Sequence, residues 1–228
     1  MEGNSFQVSQ NKFIGKTLLY MTMGLILTFI VSYALCINED FIIFLYYNQY
    51  SFFVAIVVEI GLVSLITRKM ESMSVKTGFI LFLLYSVISG VTFSAILLAY
   101  SLESIIFIFF IAALMFLCSG MIGMTTKRDL STLGRFAIMS LVGIIIVSII
   151  NMLLGSNDGL FNFINYVGMI IFCALTAYDM QKIKIIHKYS YELSPVEVNK
   201  FAILAALNLY LDLINIFIYL LRLLGRKR

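Results

Sequence analysis

Apolar residues in this chain come in runs of about 20, separated by short polar segments, and the runs recur from one end to the other. Read by this pattern, the chain has seven spans, at roughly 16–37, 43–67, 78–100, 104–124, 136–154, 161–183 and 200–224. At a rise of about 1.5 Å per residue, each is long enough to cross a hydrocarbon core of about 30 Å. Lipid offers no hydrogen bonds to a bare backbone, so every span is expected to be a helix. The pattern therefore predicts an all-α polytopic membrane protein, a seven-transmembrane helix bundle filling one membrane domain over 1–228, with a short polar tail at 1–15.

The last span breaks its own apolar pattern. Asn208, Asp212, Asn215, Tyr219 and Arg222 recur at spacings of 4, 3, 4 and 3, which puts them on one helical face. A helix with such a stripe is unsuited to face lipid, so the C-terminal helix is expected at the centre of the bundle. The polar segment before it, 184–199, contains the only proline. Ser194-Pro195 with Glu197 has the form of a helix start: a capping serine, proline at the first helical position, and a glutamate three residues after the cap.

Composition agrees with the pattern and removes other classes. The 228 residues are 61% hydrophobic and 12% charged, too little charge for a soluble surface. The net charge of +4 is small and dispersed, so nucleic acid is not an expected partner; the lipid bilayer is. No cleavable signal is visible at the start. Cys36, Cys118 and Cys173 are far apart and lie in apolar runs, where they read as small buried hydrophobes rather than as metal ligands. His187 stands in a basic loop and reads as solvated.

Charge orients the chain. Lys12 and Lys16 precede span 1; Arg68, Lys69 and Lys76 lie between spans 2 and 3; Lys127, Arg128 and Arg135 between 4 and 5; Lys182, Lys184, Lys188 and Lys200 between 6 and 7. The alternate connections carry Glu39, Asp40, Glu103 and Asp158 and no Lys or Arg. The positive-inside rule makes the N-terminus cytoplasmic. Span 7 conflicts with the rule: if it crosses, Arg226, Lys227 and Arg228 end outside; if it is re-entrant, they stay inside. Its length favours crossing.

Ionisable groups within spans are costly, and each is a functional candidate. They are Glu59 in span 2, Asp179 near the end of span 6, and Asp212 and Arg222 in span 7. Spans 6 and 7 are consecutive and can pack antiparallel, bringing Asp179 near Asp212. Two carboxylates close together in a low dielectric do not easily both ionise, so such a pair shares a proton and senses pH. Arg68, at the end of span 2, is the best-placed competing cation, with Lys69 second. Glu59 needs a proton or a partner, for which Arg222 is a candidate. Gly120 and Gly123, and Ser89-Gly90, are expected at close helix contacts. No GxSxG, HExxH or phosphate-binding glycine loop occurs, so no enzyme of those kinds is indicated.

AYDMQKIK (177–184) followed by LYLDLINIFIYLLRLLG (209–225) closely resembles the C-terminal signature of the transmembrane Bax inhibitor motif family, in its bacterial branch. TKRDLSTLG (126–134) resembles that family's connection between spans 4 and 5, and SGVTFS (89–94) its span 3. The resemblance covers roughly 55–228. It implies a seven-helix fold with the last helix wrapped by the others, and a pH-sensitive calcium leak. The family's two sensing aspartates match Asp179 and Asp212, and Arg68 matches the arginine that latches them in the closed state. Location in a bacterial cytoplasmic (inner) membrane follows, and some bacterial relatives interact with a membrane AAA protease.

The expected function is thus a channel-like calcium leak gated by protonation of Asp179 and Asp212, with calcium as permeant ion and no cofactor. Calcium prefers 6–8 oxygens; the two carboxylates with Asn208, Asn215 and water would make a loose site suited to passage. The rivals are a non-conducting regulator of other membrane proteins, a proton-coupled transporter, and an intramembrane aspartyl protease. The last shares a Tyr-Asp on one helix, here Tyr178-Asp179, and an Asp on the next. It requires Gly before the second Asp, where this chain has Leu211, and a PAL-like segment that does not follow.

Overall fold

A computed structural model describes the backbone of residues 2–48, 50–155, 157–189 and 194–227, and their side chains apart from 2–11 and 187–189. His187, expected in a loop, falls on the backbone of a helix, Asp158–Tyr189; its solvation lies outside the described side chains. The described residues form eight helices: α1 (Glu2–Cys36), α2 (Glu39–Tyr47), α3 (Tyr50–Lys69), α4 (Val75–Ala99), α5 (Leu102–Thr125), α6 (Ser131–Leu153), α7 (Asp158–Tyr189) and α8 (Pro195–Leu224). All but α2 are long and apolar enough to cross a membrane. The chain is an all-helical, multi-pass membrane protein.

Two departures from the hydrophobic pattern are the largest. The polar stretch 1–15, expected as a tail, continues α1 back to Glu2. The second apolar run is cut in two at Asn48, whose backbone leaves helical geometry. The Asn48 side chain donates to the Phe44 carbonyl at 3.1 Å, and the Ser51 hydroxyl donates to the Asn48 carbonyl at 2.7 Å. Such local side-chain bonds compete with the helical ladder, and hydropathy does not register them. Asn38 caps the start of α2 by accepting from the Phe41 N–H at 2.9 Å, and Glu39 and Asp40 complement the helix dipole there.

The chain forms two compact units, Met1–Ser101 with His187–Tyr210 and Lys227–Arg228, and Leu102–Ile186 with Leu211–Arg226. In the first, α1 and α4 meet through glycine. A Cβ on Gly90 would lie 2.6 Å from the Cβ of Val31 and 3.0 Å from the Thr28 carbonyl oxygen, and one on Gly24 would lie 2.6 Å from the Phe82 ring. The Thr28 hydroxyl donates to the Ser86 carbonyl at 2.9 Å. Its one hydrogen being committed, the Tyr210 hydroxyl 2.7 Å away acts as donor to Thr28. The Tyr210 ring in turn meets the Tyr85 ring edge-on at 5.6 Å.

α8 starts as its sequence predicts. The Ser194 N–H and hydroxyl both donate to the Glu197 carboxylate, at 2.8 and 2.7 Å, and the Glu197 N–H returns to the Ser194 hydroxyl at 3.3 Å. At this end Lys200 donates to the Glu71 carbonyl in the α3–α4 connection at 2.6 Å, and Lys16 to the Asn199 side chain. At its other end Lys227 pairs with Tyr100, and the Arg226 N–H donates to the Ser104 hydroxyl at 3.1 Å. α8 therefore runs from the start of α4 to the α4–α5 connection. Its basic tail thus lies at the end opposite the α3–α4 connection.

α8 is also the most buried span: 67% of its apolar window is buried, against 6–50% for the other six. Ala206, Leu207, Leu209, Tyr210 and Ile216 are fully enclosed. A helix whose polar stripe contains a carboxylate is unsuited to lipid and is covered by its neighbours. By contrast α3 exposes Phe53, Val54, Val57 and Ile60, the surface expected to meet acyl chains.

Candidate functional site: a buried carboxylate between α7 and α8

Within the second unit, α7 and α8 pack antiparallel along a seam built on missing side chains. A Cβ on Gly168 would lie 2.5 Å from the Tyr219 ring, so glycine there lets the ring rest on bare α7 backbone. The Phe172 ring adds a tilted contact to Tyr219 at 5.9 Å. Two turns along α7 from Gly168, Thr176 meets Asp212. Asn165, Gly168, Phe172, Thr176 and Asp179 follow one another at 3, 4, 4 and 3 residues, so all five share the face of α7 turned to α8.

Asp212 is 3% exposed, near the middle of a 30-residue helix. Its two electrostatic neighbours are the half-buried Asp179 carboxyl and the fully buried Thr176 hydroxyl. Asp212 Oδ2 has no hydrogen-bond partner. Thr176 also donates to the Phe172 carbonyl of its own helix at 2.8 Å. One hydroxyl hydrogen serves one acceptor at a time. An ionised Asp212 claims that hydrogen; a protonated Asp212 donates to Thr176 Oγ1, and the hydroxyl returns to Phe172. Thr176 can thus partner one oxygen of the carboxyl in either state by rotating about one bond.

The other predicted site residues fall in different places. Asn215, half-buried, donates to the Leu211 carbonyl of its own helix at 2.7 Å. Tyr219 packs on Gly168 and Phe172, and Arg222 is exposed beside it near the end of α8. Asn208 is half-buried and belongs to the first unit, as does Arg68, exposed in the basic last turn of α3. Glu59, also in the first unit, accepts from the Thr92 hydroxyl at 2.8 Å. A hydroxyl on α4 thus serves it, where Arg222 was the candidate partner. Among the described residues, no group of three or more His, Cys, Asp or Glu is placed to hold a metal ion. The two carboxylates are therefore a sparse donor set, too few for a resident calcium.

The segment of α7 that carries Asp179 is held on every side. A Cβ on Gly123 of α5 would stand 2.1 Å from the Ala177 carbonyl oxygen, and one on Gly134 of α6 would stand 2.6 Å from the Tyr178 ring. A Cβ on Gly120 would meet the Met180 side chain only in ordinary contact, at 3.4 Å. Gln181, 6% exposed, grips the α5–α6 connection with both ends of its amide: it donates to the Arg128 carbonyl and accepts from the Leu130 N–H, each at 2.8 Å. Lys184 donates to the Met124 carbonyl at 2.7 Å. Replacing Gln181 with Ala is expected to destabilise the protein by about 1–3 kcal/mol, for two net hydrogen bonds at about 0.5–1.5 kcal/mol each. The accompanying sign is faster hydrogen exchange at the Leu130 amide, against unchanged exchange in the middle of α6.

Sequence reasoning missed Thr176, Asn165 and Gln181. The first two share a face with Asp179 at steps of 3 and 4 along α7, but Phe172 and Gly168 stand between them, so the sequence shows no continuous polar stripe like that of α8. Gln181 carried no signal either, because its partners are backbone groups 51 and 53 residues away.

Comparison with known proteins agrees with this architecture. A family model described as inhibitor of apoptosis-promoting Bax1 matches residues 10–228. An uncharacterized protein of Borreliella burgdorferi is 41% identical over 219 residues, covering 96% of this chain and 94% of its own. The inner membrane protein YbhL of Escherichia coli is 36% identical over 209 residues, covering 92% and 89%. A protein of Rickettsia prowazekii is 32% identical over 228 residues, covering 100% and 94%. With a family match along nearly its whole length and relatives this similar, the chain belongs to the Bax inhibitor-like family of membrane proteins.

Proposed function

We propose that this protein is a pH-sensitive calcium leak of a bacterial inner membrane, gated by Asp179 and Asp212, with its N-terminus in the cytoplasm. The observation that carries the reading is the Asp212 carboxyl, buried in the middle of the most buried helix, with Asp179 beside it and one oxygen left unpartnered. An apolar interior tolerates such a group only if a proton or a cation completes it. Thr176 accommodates both conditions, so the site can exchange one for the other without rebuilding the seam. Two carboxylates fall short of the 6–8 oxygens calcium prefers. An ion that keeps part of its hydration shell would be held briefly, which suits conduction.

Orientation and membrane rest on the alternating charges of the connections and on the name of the Escherichia coli relative. Arg68 enters as the cation that the family resemblance offers as a latch. The test is flux of Ca²⁺, Na⁺ and H⁺ through purified protein in liposomes across pH, for wild type, Asp179→Asn, Asp212→Asn and Arg68→Gln. A calcium flux whose pH response is lost in both Asp variants supports the proposal. A pH response unchanged in both overturns it, as does the absence of flux from wild type. An unchanged response in Arg68→Gln alone removes only the latch.

A further inference from the structure

Three buried side-chain atoms of the described residues have no hydrogen-bond partner: Asp212 Oδ2, Asn165 Oδ1 and Asn165 Nδ2. All three belong to the α7–α8 seam. Asn165 is 0% exposed and stands one turn before Gly168 on the α7 face that meets α8. An enclosed amide with neither end satisfied is unfavourable, and a leucine would fill the same volume without that cost. Packing alone therefore does not account for an asparagine here.

We propose that Asn165 is a second polar station for the permeating cation, binding it through the oxygen of its amide or through the water the ion carries. This rests on the calcium-leak reading and extends it from a gate to a route. From Thr176, beside Asp212, to Asn165 is 11 residues of α7, about 16 Å at helical rise. That is about half of a 30 Å hydrocarbon core. Between the two stations the Tyr219 ring lies on the bare backbone of Gly168 and against Phe172. Asp212 supplies charge at one station and Asn165 a neutral dipole at the other, so an ion that leaves the carboxylates is received without being trapped.

The test compares Asn165→Leu and Asn165→Asp with wild type and Asp212→Asn in calcium-loaded liposomes, with thermal unfolding of each purified protein. For Asn165→Leu the expected result is an unfolding temperature equal to or above wild type, with calcium flux reduced at least several-fold and its pH response kept. For Asn165→Asp the expected result is an increased preference for Ca²⁺ over Na⁺. A lower unfolding temperature in Asn165→Leu with unchanged flux overturns the proposal and makes Asn165 a structural amide. Unchanged ion preference in Asn165→Asp also overturns it. If flux is lost in Asp212→Asn but unaltered in both Asn165 variants, the second station fails while the calcium-leak reading survives. If wild type conducts nothing, both fail.

Discussion

Gly123→Ala is expected to be the most damaging single-methyl change in this protein. The added Cβ would lie 2.1 Å from the Ala177 carbonyl oxygen and 2.9 Å from its carbon. A carbon and a carbonyl oxygen need more than about 3 Å, so α5 and α7 would have to part by about 1 Å. The obstacle is backbone, which cannot rotate away as a side chain does. Overpacking typically costs about 1–3 kcal/mol, and this site belongs at the upper end. The measurement is unfolding temperature in detergent beside Gly143→Ala, where a Cβ meets nothing within 4 Å. That control should be neutral or stabilised by up to about 1 kcal/mol, because it removes a glycine from a helix interior. Equal stability of the two variants would refute the close approach. Ala177 lies between Thr176 and Asp179, so Gly123→Ala should also disturb the pH response of flux.

Asp179→Asn and Asp212→Asn are each expected to flatten that pH response, and the double variant to be no flatter than either. Two carboxyls in contact titrate as a unit, so removing one partner abolishes the shared behaviour and removing the second has nothing left to abolish. Effects that sum in the double variant would mean two independent sites. Asp129→Asn is the control. Hydrogen bonds from the Ser131 hydroxyl and N–H, the latter at 2.9 Å, hold the Asp129 carboxyl below the ordinary carboxylate range. It contributes stability above that range and loses it only as pH falls through the lowered value. Asp129 therefore stays ionised where flux is measured, and its replacement should leave the pH response in place.

The two lower-effect changes, at Gln181 and Asn165, bear on how much of the site a linear reading can find. Asp212 was legible because a carboxylate in an apolar run violates the local pattern. Asn165 and Thr176 were hidden because small polar residues in a membrane helix are common, and only a packed neighbour shows whether one is satisfied. Gln181 gave no signal in the sequence, because the backbone groups it binds belong to the α5–α6 connection. The glycines at 123 and 90 were legible as close contacts, but not which helix each would meet; the one at 120 leaves room for a Cβ in ordinary contact.

The sequence by itself determined the number and approximate limits of the membrane spans. A helix must run about 20 residues to cross a hydrocarbon core, and that length is written directly in the apolar runs. It also determined the start of α8, since Ser194, Pro195 and Glu197 cap it with no help from elsewhere. Tertiary structure alone decided the course of α8. The charge pattern pulled its basic tail one way and its length the other, and the contacts of Lys227 with Tyr100 and of Arg226 with Ser104 place that tail at the α4–α5 connection. It decided the break at Asn48, where local hydrogen bonds outweigh hydropathy. It also decided what surrounds Asp212. A charge inside a membrane is named by its own position in the chain, but the hydroxyl that serves it and the oxygen left unserved depend on which helix packs beside it.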